Sequence, residues 1–252
     1  MSLLATLANV ALAGAGYGAL RNEAEKRRLD QRGGALGWIE RMSRPRANSP
    51  LDRLIAGLRQ RREAGEAGFD PNDPFALVVD AFQKSDVGRR VSGWMGGDDA
   101  AAAAGSGSAP SGASAEPGFA ERVKAAGEGQ AVQTSPEHEA VAALLLRAMI
   151  QGARADGHID PDQRDRIVAA AEKGTAQDIN FVLREMSAPV DARALAAATP
   201  PDLAEAVYAA AASTARADNP AESAFLSELA AALGLDRDTG ERVVSLREPG
   251  SA

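Results

Sequence analysis

Four times in the second half of the chain, a capping residue is followed by proline where an apolar-periodic run begins: Ser135-Pro136, Asp160-Pro161, Thr199-Pro200 and Asn219-Pro220. A capping side chain satisfies an orphan N–H of the first helical turn. Proline at the first helical position gives up an N–H that no helical carbonyl would have used. Two of these starts carry Gln163 or Glu222 at the third helical position, a capping-box-like pattern. Apolar residues then recur at i, i+3, i+4 and i+7, so the runs are predicted helices. The first should bury Val141, Leu144, Leu145, Ala148 and Met149. The last should bury Phe225, Leu226, Leu229 and Leu233, with Gly234 ending it. Between them lie Ile167 and Val168; Ile179, Val182, Leu183 and Met186; Leu195; and Leu203, Val207 and Tyr208. Residues 135–247 are thus predicted to be a domain of about seven helices that folds alone.

Composition agrees with an all-α class. Aromatic residues make up 4% of the 252, too few for the strands of a sandwich or barrel, and alanine is abundant. The chain has no cysteine, which excludes disulfide scaffolds, thiolate zinc sites, cysteine-ligated clusters and cysteine nucleophiles. His138 and His158 are its two histidines, with no third for a histidine-rich catalytic metal site. No Gly-x-Ser-x-Gly elbow, P-loop, HExxH or Rossmann glycine fingerprint occurs, so a hydrolase would rest only on carboxylates that have simpler roles.

Residues 96–134 begin GGDDAAAAAGSGSAPSGASAEPG and show no sustained apolar period, a linker composition. Before it, residues 33–95 hold two apolar patches. Leu51, Leu54, Ile55 and Leu58 form one; Phe75, Leu77, Val78, Val79 and Phe82 form the other. Each predicts a short helix too small for a core of its own, either partly ordered or docked on something else. The N-terminal half is therefore expected to be weakly structured. Arg53, Arg59, Arg61 and Arg62 share the first of these helices, either as a solvated face or as an anion-binding one.

Residues 1–32 comprise an uncharged stretch, 3–20, and a basic flank containing Arg21, Lys26, Arg27, Arg28 and Arg32. An 18-residue helix would measure about 27 Å, close to the bilayer's hydrocarbon thickness. Asn9, Thr6 and the glycines, Gly14 and Gly18 among them, weaken insertion. Residues 3–20 could span a membrane, lie on it or avoid it; a cleavable signal peptide fits poorly without a basic n-region. The net charge of −7 hides an asymmetry: residues 20–62 carry 12 basic and 5 acidic side chains, residues 101–252 carry 13 and 22. The basic stretch can meet anionic lipid, nucleic acid or an acidic protein through charge alone.

An internal echo links two helical hairpins: Ala153-Arg154-Ala155-Asp156 and Ala215-Arg216-Ala217-Asp218 are identical tetrads, each leading into a Pro-started helix. Packed face to face, they would bring Asp156 and Asp218 to equivalent corners. The segments ARADGHIDPDQRDRI and ARADNPAESAFLSELAAALGL resemble the TerB-like superfamily of bacterial all-helical domains, named from tellurite resistance. Within it they are most similar to the YebE-type inner-membrane proteins of unknown function. The resemblance covers residues 135–247. It implies an all-α bundle, no established reaction, a place at the cytoplasmic face of a bacterial inner membrane or in the cytoplasm, and an acidic cluster able to bind a divalent cation.

Carried over by position, that cluster comprises Asp156, Asp160, Asp218 and Glu222. Such oxygens favour Ca²⁺, Mg²⁺ or Mn²⁺ over zinc. Gln163 stands where the family usually has glutamate, which predicts weak binding at best. The same residues have a structural reading, since Asp160 and Asn219 are helix caps and Asp156-Gly157 is an ordinary helix stop. His158 could add an imidazole or simply be solvated. A standard EF-hand is rejected: with Gly157 at the sixth loop position, the first, third and twelfth become Gly152, Arg154 and Gln163. The leading expectation is a non-enzymatic module that senses ions or binds a protein partner during metal, tellurite or envelope stress. The alternative is a soluble scaffold whose basic half binds an acidic partner or nucleic acid; no nucleic-acid motif supports the latter, and the sequence leaves homo-oligomerisation open.

Overall fold

A computed structural model describes residues 3–14, 49–70, 72–83, 117–159, 161–172, 174–215 and 219–236. All regular structure among them is helical. The α-helices are α1 (Leu3–Gly14), α2 (Pro50–Glu63), α3 (Phe75–Gln83), α4 (Phe119–Gly127), α5 (Pro136–Ala153), α6 (Pro161–Glu172), α7 (Ala176–Ser187), α8 (Ala192–Ala197), α9 (Ala204–Thr214) and α10 (Pro220–Ala232). A 3-10 turn, Pro201–Leu203, leads into α9. Helices α5 to α10 with this turn match the expected C-terminal bundle.

Helix α5 is the axis of the fold. From Glu137 to Ala153 every residue is buried except Glu139 and Arg147, which are partly exposed. A helix apolar all round belongs at the centre of a bundle. Small side chains let α9 lie against it: the AEAVYAAAAST sequence buries Ala206–Ala212, and the Thr214 hydroxyl donates to the Met149 carbonyl at 2.6 Å. Helix α10 packs on α8, α9 and α5, and α7 on α6 and α5. The residues expected to be buried in α5 and α9 are buried, as are Phe225, Leu226 and Leu229 of α10.

The expected boundary at residue 135 is not a boundary of packing. Helices α1, α2 and α3 all pack on α5, and α4 packs on α1. The patches of residues 33–95, too small to stand alone, have the C-terminal bundle as their support. A further start of a capping residue followed by proline organises one of them: Ser49 caps α2, its Oγ accepting from the Asp52 N–H at 3.1 Å, and Leu51, Ile55 and Leu58 are buried. Phe75, Leu77 and Val78 of α3 are buried as well, while Phe82 lies outside the described side chains.

Of residues 3–20, the structure describes 3–14 as α1, and residues 15–20 lie outside the described residues. Among the described residues no helix is long and apolar enough to cross a membrane. Instead Leu3, Leu4, Leu7 and Val10 are at most 3% exposed, packed among α4, α5, α6 and α9. At about 1.5–3 kcal/mol for each buried side chain, their removal would cost as much as a typical domain's whole stability. As packed, these side chains are core and unavailable to a bilayer. The basic flank lies outside the described residues.

Two further differences have local causes. Thr199 does not cap a helix at Pro200; its hydroxyl donates to the Leu195 carbonyl at 2.7 Å and finishes α8, and the 3-10 turn delays the next α-helix to Ala204. In α7 the buried stripe is Asp178, Phe181, Val182 and Glu185, one residue round from the expected one, and Leu183 is 46% exposed. Both carboxylates on that stripe have inward partners. Asp178 accepts from the Thr175 N–H at 2.7 Å, and Glu185 takes a bidentate pair from Arg147 at 2.7 and 2.6 Å. The Arg147 guanidinium also lies 3.8 Å from the Phe75 ring centroid, a cation–π contact.

Candidate functional site

The two echoed motifs meet through an amide. Asn219 caps α10, its Oδ1 accepting from the Ala221 N–H at 3.0 Å and the Glu222 N–H at 3.5 Å. With the oxygen so engaged, its Nδ2 points outward. It donates to Asp156 Oδ2 at 2.8 Å and to Glu222 Oε1 at 3.2 Å. A carboxylate from the first motif and one from the second therefore share one donor group.

Asp156 is exposed and further fixed by the His158 N–H, which donates to its Oδ1 at 2.9 Å. That backbone donor, with the Asn219 amide, holds the Asp156 carboxyl below the usual range. Gly157 takes φ 82°, a left-handed conformation that lets the chain turn immediately after Asp156. Glu222 is only 4% exposed, a carboxylate set into the wall of the corner. The arginine of the first tetrad faces elsewhere: Arg154 donates to the Ala188 carbonyl at 2.7 Å and the Glu185 carbonyl at 3.3 Å, tying the end of α5 to the end of α7.

Of the four expected acidic residues, the structure brings Asp156 and Glu222 together, while Asp160 and Asp218 lie outside the described residues. Among the described residues no group of three or more acidic or histidine side chains could hold a metal ion. His158 is exposed, with its N–H on Asp156 Oδ1 and its Nδ1 3.3 Å from the Asp156 carbonyl. The Asn-Pro start at Asn219 predicts only a cap. An asparagine cap has a second, donor end, and here that end does the bridging.

Chain comparisons bear on this architecture. A model of the family described as "Protein of unknown function (DUF533)" matches residues 83–245, more than half of the chain. The chain belongs to this family. It is a TerB-like family, so the resemblance carried by the ARAD segments holds at that level. The match begins well upstream of residue 135 and takes in α4, consistent with packing that continues across that point. No curated protein and no solved structure matches the chain.

A second polar cluster sits at the opposite end of α5 and was not singled out by the sequence. Glu137 is fully buried, accepting from Arg62 Nε at 2.6 Å and from the Ser135 hydroxyl at 2.5 Å. The hydrogen bonds from Arg62 and Ser135 outweigh burial and hold its carboxyl below the usual range. His138, 5% exposed, lies 2.7 Å by Nδ1 from the same Ser135 Oγ, with its ring parallel to Phe119. The PEHE segment after Ser135 is the signal that was available, since polar side chains in the first turn of so apolar a helix need partners.

Proposed function

We propose that this chain is a non-enzymatic TerB-like binding module of the YebE type, whose acidic corner is its ligand-facing end. The bridging of Asp156 and Glu222 by the Asn219 Nδ2 group supports the reading: an electropositive donor already stands between two carboxylates from the two motifs. In this reading Asp156 and Glu222, joined by Asp160 and Asp218, hold a divalent cation of the Ca²⁺, Mg²⁺ or Mn²⁺ class. The oxygen donors suit such ions in kind. Binding is weak because Asn219 must surrender its contacts and Gln163 contributes no charge. The module works at the cytoplasmic face of the inner membrane during metal, tellurite or envelope stress. With the α1 side chains buried, membrane contact falls to the basic stretch 20–62, by attraction to anionic lipid.

Calorimetric titration of the full chain with Ca²⁺, Mg²⁺ and Mn²⁺ separates a cation site from a mere cap. The wild type should bind at least one of them with a millimolar dissociation constant. Asp156→Asn and Glu222→Gln should abolish the response while leaving the fold intact. Variants that lose stability but keep the cation response of the wild type would reduce the corner to capping.

A further inference from the structure

The cluster around Ser135 joins three segments that are distant in sequence. From α2 come Ser49, Asp52 and Arg62. The Ser49 hydroxyl donates to Asp52 Oδ2 at 2.6 Å, and Asp52 Oδ1 accepts from the Phe119 N–H at 2.8 Å, which ties α2 to the start of α4. From α4 comes Arg122, 8% exposed, which donates to the Pro117 carbonyl at 2.9 Å and to the Gln133 carbonyl. From α5 come Glu137, paired with Arg62, and His138, stacked on Phe119 with centroids 6.4 Å apart.

Proton counting fixes how His138 takes part. The Ser135 hydroxyl has one proton and lies 2.5 Å from Glu137 Oε2, a carboxylate kept ionised by Arg62. That proton therefore goes to Glu137. The Ser135 N–H can only donate, so its 3.2 Å contact makes His138 Nδ1 the acceptor of a capping box, with the Ser135 Oγ 2.7 Å from the same nitrogen. A proton on Nδ1 would remove that acceptor. The cluster thus runs from His138 through Ser135 to Glu137, with Arg62 donating to Glu137 from the other side. The neutral ring completes it; a further proton adds positive charge beside Arg122 and Arg59, opposed by Glu137 and Asp52.

We propose that His138 is an acid-sensitive latch that couples α2 and α4 to α5, so that its protonation at mildly acidic pH loosens these two helices while the α5–α9 core stays closed. Burial first, then the charges of Arg122 and Arg59, lower the imidazole pKa from 6.5 to about 4. The sign follows: the folded form prefers the neutral ring, so the latch is at full strength above 6.5 and weakens as pH falls towards 4. With those two values, the equilibrium for local opening rises about 20-fold between pH 7 and pH 5. Glu137 adds little in this window, because its carboxyl loses its proton below the usual range.

The cysteine-free chain gives a clean readout. Ala126→Cys on α4 and Ala210→Cys on α9 place single thiols at buried positions, 7% and 0% exposed. Each is reacted with 4,4′-dithiodipyridine at pH 7 and pH 5, with rates normalised to the denatured chain. The account expects the Ala126→Cys rate to rise about 20-fold at pH 5, the Ala210→Cys rate to stay constant, and the rise to vanish with His138→Gln, whose amide suits the third position of a capped helix. A rise that survives His138→Gln, an equal rise at Ala210→Cys, or no rise at Ala126→Cys would overturn it. Should His138→Gln fail to fold, NMR titration of the two histidines in the wild type decides: a His138 midpoint at or above 6.5 refutes the latch.

Discussion

The tight approach of α5 to α9 at Gly152 makes Gly152→Ala an informative single substitution. A Cβ at Gly152 would lie 2.9 Å from the Ala211 carbonyl carbon and 3.0 Å from Thr214 Oγ1, and closer still to the Ala211 carbonyl oxygen. The obstacle is mainly backbone, which cannot rotate aside, so the two helices must separate. Overpacking of this kind costs about 1–3 kcal/mol. Separation also weakens the bond from the Thr214 hydroxyl to the Met149 carbonyl, worth about 1 kcal/mol. Replacing a helical glycine with alanine returns up to about 1 kcal/mol, less in a final turn. The net expectation is a loss of about 2 kcal/mol, or a fall in Tm of about 4–8 °C for a chain of this size. Gly57→Ala is the matched control, because Gly57 lies inside α2 with nothing within 4 Å of a Cβ. It should gain up to about 1 kcal/mol. Denaturant melts followed by circular dichroism compare the two. A Gly152→Ala protein as stable as the wild type would refute the α5–α9 packing.

Three further outcomes test other parts of the fold. Leu7→Ala in α1 should cost about 2–5 kcal/mol in the same melts, as a core truncation does, whereas a segment outside the core would leave stability unchanged. Arg147→Ala strands the 5%-exposed Glu185 carboxylate and should cost about 3 kcal/mol; Arg147→Ala combined with Glu185→Ala should cost less than the two single changes added, measured as a double-mutant cycle. Glu139, whose carboxyl is pushed up by burial although it accepts from Thr134 and from the N–H groups of Leu3 and Leu4, destabilises the fold when ionised. A raised carboxyl pKa gives stability that is present at low pH and lost as pH rises. Glu139→Gln should therefore stabilise the protein more at neutral than at acid pH, with the benefit shrinking as pH falls, and a constant benefit across pH would contradict this.

The helical class, the α5, α9 and α10 cores and three of the six described C-terminal α-helix starts were legible because caps, proline and apolar period agree locally at Pro136, Pro161 and Pro220. What the sequence hid depends on partners distant along the chain. The stripe of α7 turned by one residue because Glu185 finds Arg147, 38 residues away, while Asp178 turns back on the local cap at Thr175, and a pattern that counts only apolar residues prefers Ile179, Leu183 and Met186. Residues 3–20 left spanning, lying on or avoiding a membrane all open, because nothing in the stretch itself shows the groove among α4, α5, α6 and α9 in which Leu3, Leu4, Leu7 and Val10 are buried. At the candidate corner the echoed tetrads indicated that Asp156 and the second motif would meet. The agent of the meeting was hidden because the cap at Asn219 explained only one end of its amide.

Mn²⁺-induced line broadening in the ¹H–¹⁵N spectrum of the full chain tests the shared corner most directly, because a paramagnetic ion marks its own position. The account predicts that sub-millimolar to millimolar Mn²⁺ selectively broadens the amides of Asp156, Gly157, His158, Asn219, Ala221 and Glu222, and that Asp156→Asn removes the effect. Broadening centred elsewhere, or none confined to these residues at millimolar Mn²⁺, would contradict it.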